Sequence, residues 1–389
     1  MYLSHLTLTD FRNFKQLDLP LGPGMFLFYG ENAQGKTNLL EAVTMLTTAH
    51  SFHTTSDREV MNWDSQEHLT RLRSTAVRED GPLNIEIVIF DPAAQNGSAI
   101  PPTPGGSEKQ RKRIKVNGVV KKPLDLYGLV TFVLFAPTDL SLVDGPPEER
   151  RRFLDRSLCQ MRASYCQALL KYRKIVTQRS ALLKRIRENQ EDPRMLDYLD
   201  EKLTELANVL MYERQRMVEA LNQEAGELQL KLSGGKEHLQ IVYRPSFRMD
   251  PAWGPLDALE NYRAQLRDAR RREIHQGVCT LGPHRDELEF LVNGVNMLSF
   301  GSRGQQRTVA LAAKLSELSH MRQTTGEEPI LLLDDVFSEL DLQRRAYLLR
   351  QVLQHEQVLM TTTDFSGFPQ EILEKAHRHR VVQGTLPQA

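Results

Sequence analysis

The segment Gly30-Glu31-Asn32-Ala33-Gln34-Gly35-Lys36-Thr37 fits the pattern GxxxxGK[ST], and no other feature restricts the chain as much. In such a loop the glycines let backbone N–H groups wrap phosphate oxygens. Lys36 is then expected to reach the β and γ oxygens of ATP, and Thr37 to offer its hydroxyl to Mg²⁺. The flanking sequence supplies the context this loop requires. Met25-Phe26-Leu27-Phe28-Tyr29 is a short apolar run suited to a buried strand. From Asn38 to Thr48, residues Leu39, Leu40, Val43 and Leu46 line one face of a helix, whose positive end would meet the anion.

At 389 residues the chain has room for two domains, or for one large core with an insertion. Its mean hydropathy of −0.44 and the lack of an apolar run of about 18 residues argue against a membrane span. The first residues show no basic-then-apolar leader. Cys159, Cys166 and Cys279 form no CxxC pair. A cytoplasmic location follows as an expectation, with Cys159 and Cys166 read as buried thiols on one helix face. Lys+Arg and Asp+Glu balance at 50 each, so any surface for nucleic acid must arise from local placement.

Alternation over Leu3 to Asp10 and Gln16 to Leu21 predicts strands joined by a turn at Asp10-Phe11-Arg12-Asn13-Phe14. Leu83 to Phe90 is β-rich, and Asn117-Gly118 and Asn293-Gly294 are hairpin signals. The Ala/Gly/Pro/Ser-rich stretch Asp91 to Lys109 reads as a disordered excursion. From Pro146 to Leu232 two stripes at heptad spacing, Tyr165 to Ile186 and Leu196 to Leu221, flank the polar turn Glu188 to Pro193. They predict an antiparallel helical pair reaching about 50 Å, or alternatively a helical subdomain packed on the head. The fold class expected is α/β, a P-loop ATPase head with a mixed sheet and a β-rich lobe. Residues 1–145 would carry the loop and lobe, 146–232 the helical arm, and 233–389 the rest of the head.

Glu328 to Asp335 is an apolar run ending in two acids, a Walker B candidate. Asp334 would hold Mg²⁺ and Asp335 would orient or deprotonate the attacking water. Two serine-glycine segments compete for an ABC-type signature. Leu232-Ser233-Gly234-Gly235 is nearer in letters, but Gly301-Ser302-Arg303-Gly304-Gln305 opens a strong helix leading to Asp334. A signature must cap a helix N-terminus to face an anion, so Ser302 and Gly304 are taken as the trans contacts. Val336 to Asp341 has the place of a D-loop, with Asp341 assigned to the nucleotide site along with Asn38. Threonines stand at Thr361 to Thr363, where ABC transporters carry a switch histidine, so slow or differently switched hydrolysis is expected.

Together these residues resemble the RecF family of the SMC-like ABC class. The likeness also runs through Asp10 to Asn13, Asn38 to Ala42, Ser51-Phe52, Gly145 to Asp155 and Leu281 to Leu288. It implies a weak DNA-dependent ATPase that dimerises on ATP, the Ser302 loop of one copy completing the Lys36 site of the other. It further implies binding of single-strand/double-strand DNA junctions and cooperation with RecR and RecO in loading RecA during repair, replication restart and the SOS response. Arg12 is a nucleotide contact by the same likeness, and His284 and Arg285 lean to function. Basic clusters at Lys109 to Lys115, Arg150 to Arg152, Lys171 to Lys174, Lys184 to Arg187 and Arg270 to Arg272 are the candidate DNA contacts. An ABC-transporter subunit and an SMC-like tether are the alternatives. The helical insertion opposes the first, and the short arm without a cysteine hook opposes the second.

Overall fold

Period-two patterning and Asn-Gly turns at the start of the chain build strands, and period-3.6 patterning after Pro146 builds helices. The computed structural model describes residues 1–91, 112–248, 255–366 and 368–387. Most of the 91–109 excursion therefore lies outside the described residues. The chain opens with β1 (Tyr2–Phe11), β2 (Phe14–Pro20), β3 (Gly24–Tyr29), α1 (Lys36–Thr48), β4 (Leu69–Arg78), β5 (Gly81–Phe90), β6 (Lys112–Val116), β7 (Val119–Lys121) and β8 (Phe132–Phe135). There follow α2 (Ser141–Asp144), α3 (Pro147–Met161), α4 (Ala163–Arg187), α5 (Leu196–Leu232), β9 (Leu239–Arg244), α6 (Pro255–Gln276), β10 (Glu287–Val292), β11 (Val295–Asn296) and α7 (Met297–Phe300). The last elements are α8 (Arg303–Thr325), β12 (Ile330–Asp334), α9 (Leu342–Val352), β13 (Gln357–Thr362), α10 (Gln370–Lys375) and β14 (His377–Arg380).

Two compact units result, Met1–Pro137 with Met321–Ala389, and Thr138–His320. In the first, an antiparallel sheet of order β2-β1-β4-β5-β6-β7 accompanies a parallel sheet of order β14-β3-β13-β12-β8. The alternation of β1 is interrupted by a register shift between Leu3 and His5. That irregularity puts Leu3, Leu6 and Leu8 all in the core, where strict alternation would have set Leu3 against the other two. Helix α1 touches strands of both sheets. Leu39, Leu40, Val43 and Leu46 are at most 1% exposed, each contributing roughly 1.5–3 kcal/mol by burial. Both Asn-Gly hairpins form, with positive φ at Asn117, Gly118, Asn293 and Gly294 as their tight turns require.

The second unit departs from the expected arm. Helices α4 and α5 pair around the turn at 188–193, but they have 25 and 37 residues, about 38 and 56 Å long. A third helix, α6, packs on both, and α5 also lies on β9. The compact units divide at 137/138 and 320/321, outside the 146–232 span expected for the arm alone. The cause is the apolar stripe of α5, which runs on through Leu221, Ala225 and Leu232, while α6 buries Tyr262, Leu266 and Ala269. Cys159 and Cys166 are buried and free as expected, but not on one helix. Arg162, at φ −142° and ψ 102°, ends α3 and starts α4 between them.

Arg150, Arg179 and Arg214 are the largest fully buried side chains of this unit. Arg150 grips Glu287 with two hydrogen bonds of 2.6 and 2.9 Å. Arg179 lies 2.6 Å from both Asp200 and Glu273. Arg214 donates to Asp155 at 2.8 Å and to the Pro283 carbonyl at 2.7 Å. Buried charge is tolerated only when so paired. Arg214→Leu would leave the buried Asp155 carboxylate with only the Tyr165 hydroxyl and the exposed Arg173 as partners, and is expected to cost about 3–5 kcal/mol in urea unfolding. A change below about 1 kcal/mol would show that Tyr165 and Arg173 suffice to hold Asp155.

Candidate nucleotide site and the basic clusters

The parallel order of β3, β13 and β12 sets the ends of three strands side by side. The phosphate loop leaves β3 at Gly30 and enters α1 at Lys36. Gly30 (φ 151°) and Gly35 (φ 109°) take backbone conformations that favour glycine. A Cβ on Gly30 would sit 2.5 Å from the Val381 carbonyl oxygen, and one on Gly35 would strike the Asn13 amide. Glu31, Asn32 and Ala33 are exposed along the loop. No side chain caps α1 and no acid stands in its first turn, so its N–H groups face outward as an anion site.

Lys36 is 7% exposed, and its Nζ donates to the carbonyls of Gly30 (2.5 Å) and Glu31 (2.8 Å). Burial lowers its ammonium below the ordinary lysine range, while the carboxylates of Asp335 and Asp334 pull it back. Thr37 Oγ1 donates to Asp334 Oδ1 at 2.8 Å, across 297 residues of sequence. Thr361 Oγ1 donates to the same oxygen at 2.7 Å and accepts from the Asp335 N–H at 3.0 Å. Asp335 adopts φ 48° and ψ 29°, a left-handed conformation that a non-glycine residue holds only when its surroundings impose it. Thr361 thus fixes both acids of the β12 end. The sequence reading marked it only as a missing histidine.

Arg12, Asn38 and Asp341, also expected at the nucleotide, each have partners within the chain. Arg12 (φ 52°) donates to both oxygens of Glu41, at 2.8 and 2.6 Å, and to the Glu59 carbonyl at 2.6 Å. Glu41 is completely buried on α1 and also receives Ser51 Oγ at 2.5 Å. Three of the five guanidinium donors of Arg12 are therefore engaged in the head itself. Asn38 donates to Asn13 Oδ1 at 2.9 Å, and Asn13 donates to the Gln34 carbonyl at 2.8 Å. From the far end of the chain, Gly384 N–H donates to the same carbonyl at 3.0 Å and Gln383 N–H to Gln34 Oε1 at 2.7 Å. The phosphate loop is thus braced from behind by two turns, the expected one at Asn13 and one at Gln383-Gly384 that carried no sequence signal. Asp341 caps α9 through the Arg344 N–H at 2.9 Å and pairs with the Arg344 side chain.

In the second unit Ser302 and Gln305 form a capping box on α8. Ser302 Oγ accepts from the Gln305 N–H at 3.3 Å, and Gln305 Oε1 accepts from the Ser302 N–H at 3.0 Å. Ser302, Arg303 and Gly304 are exposed at the open N-terminus of a 23-residue helix. Ser233 lies instead at the C-terminus of α5, with Gly234 and Gly235 at positive φ and the Gly235 N–H bonded to the Leu230 carbonyl. That end presents carbonyls, which repel an anion.

The basic clusters divide sharply. Arg150 is buried on Glu287, Arg151 donates to the Asp286 carbonyl, and Arg152 pairs with Glu148 and Glu149. Lys112 pairs with Asp57, and residues 109–111 lie outside the described residues. Arg270 is held by Asp197 and Asp200. His284, weighed as functional, receives the Tyr172 hydroxyl at Nδ1 (2.7 Å) and faces the Cys279 carbonyl with Nε2 (3.3 Å). Burial pushes its pKa down to about 4, so it packs as a neutral ring.

Comparison with known proteins agrees with this geometry. Residues 2–383 match the family described as RecF/RecN/SMC N terminal domain. The chain is 42% identical over 397 residues to the DNA replication and repair protein RecF of Chloroflexus aurantiacus, covering 99% of each. It is 37% identical over 387 residues to that of Halalkalibacterium halodurans, again covering 99% of each. The solved recombination mediator protein RecF-ATP, in the RecFOR pathway, superposes with a TM-score of 0.87 at 30% identity, covering 100% of this chain and 97% of that one. The Smc head domain of Pyrococcus furiosus shares the ABC-type head fold, with a TM-score of 0.53 at 15% identity over 99% of this chain and 95% of that one.

Gly384 has φ 72°, and a Cβ there would overlap the Asn13 carbonyl. Gly384→Ala is expected to weaken ATP binding about tenfold by loosening the brace on Gln34; an unchanged dissociation constant in nucleotide titrations would count against the brace. A histidine whose folded pKa lies near 4 binds its proton more readily when unfolded, where its pKa is about 6.5. Its stability contribution is complete above that unfolded value and is lost as pH falls toward 4. Urea midpoints at pH 7 and pH 5 should separate by less in His284→Gln than in the unaltered chain; equal separations would refute the assignment.

Proposed function

The chain belongs to the RecF family of DNA replication and repair proteins, and on that premise we propose that its ATP site is the switch that closes two copies on DNA. The observation that carries this reading is the linkage of Thr37, Asp334, Thr361 and Asp335, which joins the phosphate loop to the acidic strand end in one hydrogen-bonded array. ATP phosphates bind the N–H groups of residues 30–37, and Lys36 exchanges its loop carbonyls for phosphate oxygens. Mg²⁺ would be held by the Thr37 hydroxyl and the Asp334 carboxylate, a hard oxygen pair that fits it, and would neutralise phosphate charge. Asp335 orients the attacking water. Its backbone is anchored to Thr361, with no histidine in that place, which accords with slow turnover suited to a switch.

Completion of the site requires a donor for the γ-phosphate. The exposed N-terminus of α8 at Ser302 and Gly304 has the right polarity to supply one, from a second copy of the chain. The same reading extends to DNA with single-strand/double-strand junctions and to RecR and RecO, with RecA loading as the outcome. It also accounts for replication restart and SOS induction as consequences of gap repair, in the cytoplasm. No helix among the described residues is long and apolar enough to cross a membrane.

Two variants separate binding from closure. Lys36→Arg should weaken ATP binding and abolish ATP-driven dimerisation, read by nucleotide titration and light scattering with and without gapped DNA. Ser302→Arg should keep ATP affinity within about twofold, because Ser302 lies outside the phosphate loop, yet remain monomeric. A Ser302→Arg chain that still dimerises on ATP sinks the shared-site reading.

A further inference from the structure

Helix α4 carries Lys171, Arg173, Lys174, Lys184, Arg185 and Arg187 on its surface and has no Asp or Glu in its 25 residues. Its seventh cation, Arg179, is buried and paired with Asp200 and Glu273. Since the whole chain is charge-balanced, this excess is a local device. At about 100° per residue, Arg173, Lys184 and Arg187 share one flank of α4, while Lys171, Lys174 and Arg185 share the other.

The first flank meets two further cations at one short turn, Gln276 to Thr280. Arg187 donates to the Gln276 carbonyl at 3.4 Å. A Cβ built on Gly277 would lie 3.1 Å from both the Arg187 guanidinium and the Lys184 stem. From α6, Arg272 donates to Thr280 Oγ1 at 3.5 Å. From the following loop, Arg285 donates twice to the Cys279 carbonyl at 3.2 Å. All four side chains are exposed. The acid beneath them, Glu273, is fully buried and already engaged by Arg179 and Thr280. Glu188 reaches Arg187 only at 3.9 Å, and Asp197 and Asp200 are taken by Arg270.

We propose that this meeting of α4, α6 and the 276–285 loop is a contact surface for the phosphate backbone of duplex DNA, an assignment that rests on the DNA-binding part of the proposed function. A helix C-terminus attracts one or two cations to its carbonyls, but here four converge, three of them through hydrogen bonds of 3.2–3.5 Å that are cheaply exchanged for phosphate oxygens, while Lys184 packs its stem beside Gly277. Among the described residues, α4, α6 and the 276–285 loop expose no Phe, Tyr or Trp on which an unpaired base could stack. Tyr172 and Tyr262 are buried, and the His284 ring is held inward by Tyr172 and Cys279. It therefore grips backbone and does not read sequence, which selects a duplex over an unstacked single strand.

The test uses the full chain with ATP and Mg²⁺, and measures fluorescence anisotropy of a duplex and of a single strand of equal length over a salt series. Lys184→Gln/Arg272→Gln should lower duplex affinity about tenfold or more at low salt and reduce the slope of log K against log salt by about 2, with ATP affinity unchanged. Single-strand affinity should fall far less. Lys171→Gln/Lys174→Gln, on the opposite flank, should keep duplex affinity. An unchanged salt slope in the first pair, an equal loss for both DNA forms, or a loss confined to the second pair would each overturn the assignment. If the unaltered chain binds no duplex, the DNA-binding reading itself falls; if it binds and the first pair binds equally well, only this surface does.

Discussion

One carboxylate oxygen, Asp334 Oδ1, accepts hydrogen bonds from Thr37 at 2.8 Å and Thr361 at 2.7 Å. Three segments widely separated in sequence meet there, and the geometry of the nucleotide site follows from that meeting. The bond from Thr37 fixes the first turn of α1, and hence the direction of its open N–H groups. The bond from Thr361 places a hydroxyl where it can also hold the Asp335 N–H, locking a left-handed backbone that sets the direction of the second acid. A charge-assisted bond of this kind is worth more than a neutral one, and it is partly shielded from water at 7% exposure of Asp334. Binding of a metal ion would therefore replace contacts already made in the head, with little rearrangement of the backbone.

The second unit solves a different problem with the same chemistry. Its helices cross around three buried arginines, each committed to carboxylates contributed from elsewhere in the unit. Such pairs add little net stability over an apolar core, but an unpaired member is costly, so they select one register among the many that heptad stripes allow. The loop 279–286 is drawn into this network at Pro283 and Asp286. That accounts for its distinctive sequence without a catalytic role for His284.

How much of this could be read from the sequence depended on range. The phosphate loop, the β12 run with its paired acids and both Asn-Gly hairpins are local patterns, and each formed where expected. The helix ends beside Ser302 and Ser233 were also local features, an N-terminus at the first and a C-terminus at the second. Residues that act through distant partners were not legible. The bidentate hold of Arg12 on Glu41 could not be read, because Glu41 sits 29 residues away on a helix that reads as ordinary. The break between α3 and α4 at Arg162 has no proline or glycine to announce it, so Cys159 and Cys166 were set on one helix. The choice between a free helical pair and a packed subdomain stayed open because the apolar stripe of α6, at Tyr262, Leu266 and Ala269, was not weighed with the other two.

The brace behind the phosphate loop has a consequence for the order in which the chain is made. Strand β3 emerges early, yet both of its neighbours, β13 and β14, come more than 300 residues later. The Gln34 backbone waits longer still, for Gln383 and Gly384. A ribosome must therefore release nearly the entire polypeptide before the loop can be held in its working shape. A nascent or prematurely terminated chain can thus carry every residue of the phosphate-loop motif and still lack the contacts that brace it.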